Sequence, residues 1–396
     1  MLGLGGCVDY ALRLSSSTLQ HLAIEYQIRN RELDLSVPVT DERNLIISVL
    51  AHMKRGAGGE HFAASQETLH GFASRFPGRI SLGGTSVRAA LAMSRLGVLS
   101  TLHLVSLNDH VRRLLPSSCD YISSARTDTL YPHVVVQYDQ GTRIRVGDID
   151  IKTPFPNRLI YVNDPANASL ALSEQLGSVL RDAGIFLISG FNTMQDPDAL
   201  AERLSTLRQH MQHLPPEALV YYEDAAFHRS TFRSRVRDAL LGAIDVYGLN
   251  EDEMQAYVGR PVDLLSVPDV EHALHSLEAL IPAPTLVLHT KYWSLALGQE
   301  AHEYAEALTD GIVIASTRYR YGDDYTDEQY ELSRTLRVRP EALEFATALE
   351  EQMGSVVRCV PGFRLEVAQP TTIGLGDSFV GGFLASLVRR RTASWT

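Results

Sequence analysis

Gly374 and Gly376 stand directly before an acid, Asp377. Apolar residues of helical spacing follow: Phe379, Val380, Phe383, Leu384, Leu387 and Val388. A glycine turn that opens a helix leaves backbone N–H groups without partners, and the positive end of the helix dipole adds to them. Phosphate oxygens approach such a turn closely because glycine has no side chain. A carboxylate beside that site would repel a phosphate unless it had a task there, such as taking the proton of an attacking hydroxyl. The same aspartate is also an ordinary N-cap after a turn. This stretch alone supports both readings.

Other positions offer related chemistry. Asp9 ends a short, glycine-rich apolar segment, Met1 to Tyr10, read as a first strand. Open α/β sheets bind ligands at the carboxyl ends of strands. Gly83-Gly84 separates a short apolar segment from a helix with Val87, Ala90, Leu91, Met93 and Leu96. That diglycine serves a ligand lying on the backbone or tight helix–sheet packing. Glu60 closes the glycine-rich loop 54–60 and suits sugar hydroxyls or plain solvent. Glu223 ends the strand 218–223. Asn250-Glu-Asp-Glu253 ends another, and reads as a magnesium or phosphate-water site or as a capping box. Arg158 is a candidate anion contact.

The elements that must carry these residues follow from periodicity. Strands are expected over 98–105, 184–190, 218–223, 243–249, 284–290 and 356–361, with 294–297 completing a hairpin. Helices are expected from an Asp41 cap to about His52, and over 65–75 and 169–182. Alternation over 22–28, 133–138 and 142–146, the last two joined by a turn at Asp139-Gln-Gly141, indicates a small accessory sheet. Residues 323–330 read as a solvated acidic loop.

With 396 residues, one large α/β domain and a smaller appendage are expected. A net charge of −11 argues against a nucleic-acid partner. No apolar run reaches the roughly 18 residues of a membrane span, and the N-terminus lacks the basic region of a signal peptide. Three scattered cysteines, Cys7, Cys119 and Cys359, have no metal-ligand spacing and fit a reduced, cytoplasmic protein.

Taken in order, these motifs resemble the ADP-dependent glucokinase/phosphofructokinase family of the ribokinase-like superfamily. The resemblance rests on Gly56-Ala-Gly-Gly-Glu60, Pro154-Phe-Pro-Asn-Arg-Leu-Ile160, Ile188-Ser-Gly-Phe191, Gly248-Leu-Asn-Glu-Asp-Glu253, Leu288-His-Thr290 and Thr372-Ile-Gly-Leu-Gly-Asp377. It covers nearly the whole chain. Two positions depart from the family pattern: Tyr221-Tyr222-Glu223 stands where a His-x-Glu is usual, and Gly83-Gly84-Thr85 where Gly-Gly-Asn is common.

The resemblance implies a ribokinase-like three-layer α/β/α core, about 1–10, 41–120 and 166–396, with a smaller β-sheet lid, about 11–40 and 121–165. It implies transfer of the β-phosphate of ADP to a sugar hydroxyl, with Mg²⁺ as cofactor. Asp377 would be the base, and Gly374, Leu375 and Gly376 the anion hole. Asp9, Glu60, Gly83 and Gly84 would hold the sugar. Asn250, His289, Val360 and Gly376 would lie near the nucleotide, and Glu223, Glu253 and Asp377 would organise the metal, largely through water. Glucose is expected over fructose 6-phosphate because a carboxylate at Glu60 suits a neutral sugar. A monomer or small homo-oligomer is expected. Alternatives are an ATP-dependent ribokinase-like sugar or nucleoside kinase, and a sugar- or nucleotide-binding regulator without catalysis.

Overall fold

Successive residues of the central strands feed two different cores. Phe186 and Ile188 join Tyr222, Tyr247 and Leu288 on one side. Ile185 and Leu187 join Tyr221, Val246 and Val287 on the other. A strand turns alternate side chains to opposite faces, so this sheet is covered by helices on both sides. The computed structural model describes residues 1–367 and 370–393, with the side chains of 392 and 393 outside that description. Of the large-domain span expected to 396, residues 368, 369 and 394–396 therefore lie outside the described residues.

The strands are β1 (Cys7–Arg13), β2 (Gly59–Phe62), β3 (Gly78–Gly83), β4 (Ser100–Leu104), β5 (Cys119–Ser123), β6 (His133–Tyr138), β7 (Arg143–Val146), β8 (Ile149–Lys152), β9 (Asn157–Val162), β10 (Ile185–Ile188), β11 (Leu219–Glu223), β12 (Val246–Asn250), β13 (Thr285–His289), β14 (Trp293–Gly298) and β15 (Val357–Pro361). The central sheet runs β10-β11-β12-β13-β14-β15. It is parallel through β13 and then antiparallel through the β13–β14 hairpin to β15. Leu2 bridges Leu102 of β4 and Leu187 of β10. It thus links the β4–β5 pair to the central strands. A second sheet runs β2-β9-β6-β1-β3, and β7 and β8 form a separate ribbon.

Several expectations are corrected. Residues 1–10 are not one strand with Asp9 at its end. Met1–Leu4 hydrogen-bond to the 101–103 and 185–189 segments on either side; Gly5 and Gly6 then turn the chain at φ +76° and +159°, and Asp9 is the third residue of β1 in the smaller sheet. Residues 42–83 were expected with the large domain, yet β2 and β3 pair in the smaller sheet. The helices Glu42–Arg55 and Gln66–Ala73 pack Leu45, Val49, Leu69 and Phe72 against Val134, Val136 and Leu159 of that sheet. Conversely β5, expected at the edge of the lid, pairs with β4.

The alternation over 22–28 is not a strand. Leu19, Leu22 and Ala23 form the buried face of a helix, Ser16–Glu25, capped by Ser15. The turn at Asp139-Gln-Gly141 does not pair the strands beside it. β6 lies between β1 and β9, and β7 pairs with β8 across a turn where Gly147 has φ +57°. The span 169–182 splits into Pro165–Ser169 and Leu176–Leu180. The acidic stretch near 327 opens a helix, Asp327–Arg334, through a Thr326/Gln329 capping box. Among the described residues no helix is long and apolar enough to cross a membrane.

Candidate active site

The helix Leu375–Ala393 begins just after Gly374, whose φ of +60° favours glycine. The helix Thr85–Arg95 begins after Gly84 at φ +89°. These two helices pack closely: a Cβ on Gly381 would lie 2.6 Å from both the Ala89 carbonyl oxygen and the Ala92 Cβ. The two glycine turns therefore open side by side. Between them and the smaller sheet lies a cleft of about 640 Å³. It is lined by Asp9, Glu60, Gly84, Glu223, Asn250 and Glu253, and by His289 and the whole Gly374–Asp377 turn. A second cavity of about 470 Å³ adjoins it, sharing Arg158, Asn250, His289, Leu375 and Gly376.

One wall carries a buried acidic network. Glu223, at the end of β11, accepts at Oε2 from the Tyr221 hydroxyl (3.2 Å), and its Oε1 lies 2.8 Å from His289 Nε2. Gly248 on the next strand makes room for this pair, since a Cβ there would run into the Glu223 carboxylate and the Tyr221 hydroxyl. Burial opposes protonation of His289, but Glu223, with Glu253 and Glu251, outweighs it, so its pKa ends above the usual histidine value. Glu253 accepts from the Asn250 backbone N–H at 2.7 Å, and the Asn250 side chain accepts in return from Glu253 N–H at 3.0 Å. Burial, with Asp224 and Glu223 nearby, pushes the Glu253 pKa up to about 8. Burial likewise raises Asp224 to about 6.

Several carboxylates crowded into one wall are an environment that a divalent cation neutralises, and an all-oxygen donor set suits Mg²⁺. The oxygens of Glu223, Glu253 and Asp377 do not gather at one point. Among the described residues, the set of three potential ligand atoms within 4.8 Å of one another is Cys7, Asp9 and His133. The three acids would therefore hold a divalent cation only through intervening water, a mode that Mg²⁺ uses.

The opposite wall is organised by Arg88. Its Nη2 donates to Asp9 Oδ2 at 2.6 Å, and its Nε lies 3.8 Å from Asp377 Oδ2. Asp9 also accepts from the Cys7 thiol at 3.3 Å. From the smaller sheet, Glu60 Oε1 lies 2.9 Å from His228 Nε2 in the loop after β11.

A glycine-turn anion site, a neighbouring carboxylate and a buried acidic wall in one cleft are the parts of a phosphoryl-transfer centre. Comparison with known proteins agrees. The ADP-specific phosphofructokinase/glucokinase conserved region matches residues 1–382. The chain belongs to this family. A phosphofructokinase from Pyrococcus horikoshii OT3 with AMP is 17% identical, covers 99% of this chain and 98% of its own, and superposes with a TM-score of 0.75. A hypothetical ADP-dependent phosphofructokinase from the same organism gives 17% identity, the same coverage and 0.76. An ADP-dependent kinase complex with fructose-6-phosphate and ADPbetaS is 12% identical over 97% of this chain and 92% of its own, with a TM-score of 0.74. No curated protein matches in sequence. At these identities the structures establish a shared fold, while the family match makes the chain an ADP-dependent phosphotransferase acting on an alcohol acceptor.

Within this ADP-specific kinase, Asp9, Glu60, Gly84, Glu223, Asn250, Glu253, His289, Gly374, Leu375, Gly376 and Asp377 all line one cleft. Two expected site residues do not. Gly83 lies behind Asp9, where any Cβ would meet the Asp9 carboxylate, so it makes room for that acid. Val360 pairs with Ser294 inside the sheet and lines neither cavity; Gly362 and Phe363, just beyond the strand, line the second one. The capping-box reading of Asn250-x-x-Glu253 holds, and the box forms part of the cleft wall. Sequence reasoning missed Arg88, Asp224 and His228. Asp224 was legible as a second acid directly after Glu223. An arginine in a helix and a histidine in a loop carry no such signal. Tyr221, in place of the family histidine, supplies a hydroxyl to Glu223, and His289 supplies the imidazole from β13.

Proposed function

We propose that the chain transfers the β-phosphoryl group of ADP to a hydroxyl of a hexose, with glucose the preferred acceptor, giving AMP and a sugar phosphate. The observation that carries this reading is the meeting of the Gly374–Gly376 turn, Asp377 and Asp9 in one cleft. The acceptor hydroxyl lies between Asp377 and the β-phosphorus, which rests on the N–H groups of the turn. A carboxylate is too weak a base to remove a free alcohol proton beforehand. In a loose transition state the proton leaves late, so Asp377 orients the nucleophile and accepts its proton as the bond forms. The positive end of a helix of 19 residues stabilises the charge on the phosphoryl oxygens.

Glu223 and Glu253, with Asp377, would hold Mg²⁺ through its water shell. A bound Mg²⁺ supplies charge neutralisation for the diphosphate. Glucose rests on Glu60, whose carboxylate accepts from neutral hydroxyls, whereas a phosphorylated sugar calls for free cations. His228 fixes one Glu60 oxygen and leaves the other for the sugar. The smaller sheet serves as a lid that excludes water. Three free, buried cysteines fit a reducing cytoplasm. The test crosses ADP and ATP with glucose and fructose 6-phosphate in the presence of Mg²⁺. ADP with glucose is expected to give the highest kcat/KM; ATP as the better donor contradicts the donor assignment, and fructose 6-phosphate as the better acceptor overturns the role of Glu60.

A further inference from the structure

Arg88 joins three elements that the reaction needs in register. It stands in the first turn of the helix Thr85–Arg95, is buried to 5% side-chain exposure, and still lines the cleft. Its Nη2 holds Asp9 of β1 at 2.6 Å, and its Nε faces Asp377 of the helix Leu375–Ala393 at 3.8 Å. Its stem runs beneath the anion turn, where a Cβ on Gly374 would lie 2.5 Å from Arg88 Cδ. The helix that carries it is anchored on two sides. Ser86 Oγ donates to the Gly5 carbonyl at 3.0 Å, and Ala89 and Ala92 pack on Gly381. A second guanidinium, Arg318, bonds the Ile373 carbonyl and pairs with Asp323 at 2.7 Å. Arg88 also feels the charge of Asp323, but its hydrogen bond goes to Asp9 and its Nε faces Asp377.

We propose that Arg88 is a positioning residue that sets the distance between the sugar-holding carboxylate and the base. One rigid, planar group donates to Asp9 and faces Asp377 at ion-pair distance, and lies between two like charges that would otherwise repel each other. It thus couples the smaller sheet, through Asp9, to the body of the enzyme, through Asp377. A lysine offers a point charge without the planar fork that donates to Asp9 from one edge and faces Asp377 from another. The inference rests on the roles proposed for Asp377 and Asp9.

The test compares steady-state kinetics of wild type, Arg88→Met, Arg88→Lys and Arg88→Ala, with Asp377→Asn as control, each corrected for folded fraction by thermal melting. Arg88→Met is expected to lower kcat about 100-fold, the cost of a misplaced reactant. The sugar KM should rise about tenfold, with the ADP KM within about threefold, because the lost contact is on the acceptor side. Arg88→Lys should recover only part of kcat. Guanidinium ion at millimolar concentration should raise the kcat of Arg88→Ala at least about fivefold by refilling the cavity with the same planar fork. If Arg88→Met does not fold, Arg88→Lys carries the test. Wild-type kcat and sugar KM in the folded variant, with Asp377→Asn inactive, would overturn the Arg88 inference alone. An active Asp377→Asn would instead remove the base on which it rests.

Discussion

In the sequence Asp377 reads equally well as a cap or a base. It is the third residue of the helix Leu375–Ala393 and so is not its N-cap; it lies instead in the cleft, with Arg88 at 3.8 Å and the acidic wall among its lining. Glu253 makes a sharper case, because its burial has a measurable consequence. Its pKa is pushed from 4.5 to about 8, chiefly by burial. The folded chain thus binds this proton more tightly than the unfolded chain does. Its contribution to stability is full below the unfolded value and is lost as pH rises through the folded one. In cation-free protein, urea denaturation should show stability falling over that window, and Glu253→Gln should flatten the fall while lowering kcat at least about tenfold. An equally steep fall in the variant would show that Glu253 is not the group responsible. These acids were legible in the sequence because glycines and strand ends mark them. Arg88 was not, since its partner Asp9 is 79 residues away and nothing local distinguishes it from a surface arginine.

The strands that deliver the site depend on glycines that clear space for side chains. Gly248 does so for Glu223 and Tyr221, Gly83 for Asp9, and Gly376 for His289, whose Cε1 would lie 2.9 Å from a Cβ there. Tyr221→Phe removes the hydroxyl that donates to Glu223 and leaves the ring in place. It should cost about 0.5–1.5 kcal/mol of stability and lower kcat less than the loss of Glu253 does. A kcat as low as that of Glu253→Gln would give Tyr221 a larger role than hydrogen bonding to Glu223. The strands of the central sheet were legible because each is a short apolar run with a turn behind it. The smaller sheet was harder to read. Its strands alternate weakly, its ribbon β7–β8 pairs across Gly147 rather than at Asp139-Gln-Gly141, and the Ser16–Glu25 helix ends in a stretch that mimics alternation. Sheet membership depends on pairing between distant segments, as between β1 and β6, which local pattern does not encode.

The molecule places its chemistry where the smaller sheet meets the central one, with Asp9 and Glu60 on one side and the Leu375–Ala393 helix, Glu223 and Glu253 on the other. On the proposed function, the smaller sheet covers the bound substrates and excludes water. ADP hydrolysis without sugar should therefore run at no more than about 1% of the sugar-dependent rate, measured as AMP release; brisk hydrolysis would count against water exclusion. The resemblance in motif order was enough to anticipate the three-layer core and the family, because those motifs sit at strand ends and helix starts that any sequence of this fold must supply. It placed β6 and β9 in the smaller sheet but not β2 and β3. The most direct test of the account follows the two products together, with ADP, glucose and Mg²⁺ supplied to wild type and to Asp377→Asn. Wild type should release one AMP for each sugar phosphate formed, and the variant should retain sugar binding while losing at least about a thousandfold in kcat. Near-normal turnover by folded Asp377→Asn, or AMP released without matching sugar phosphate, would contradict it.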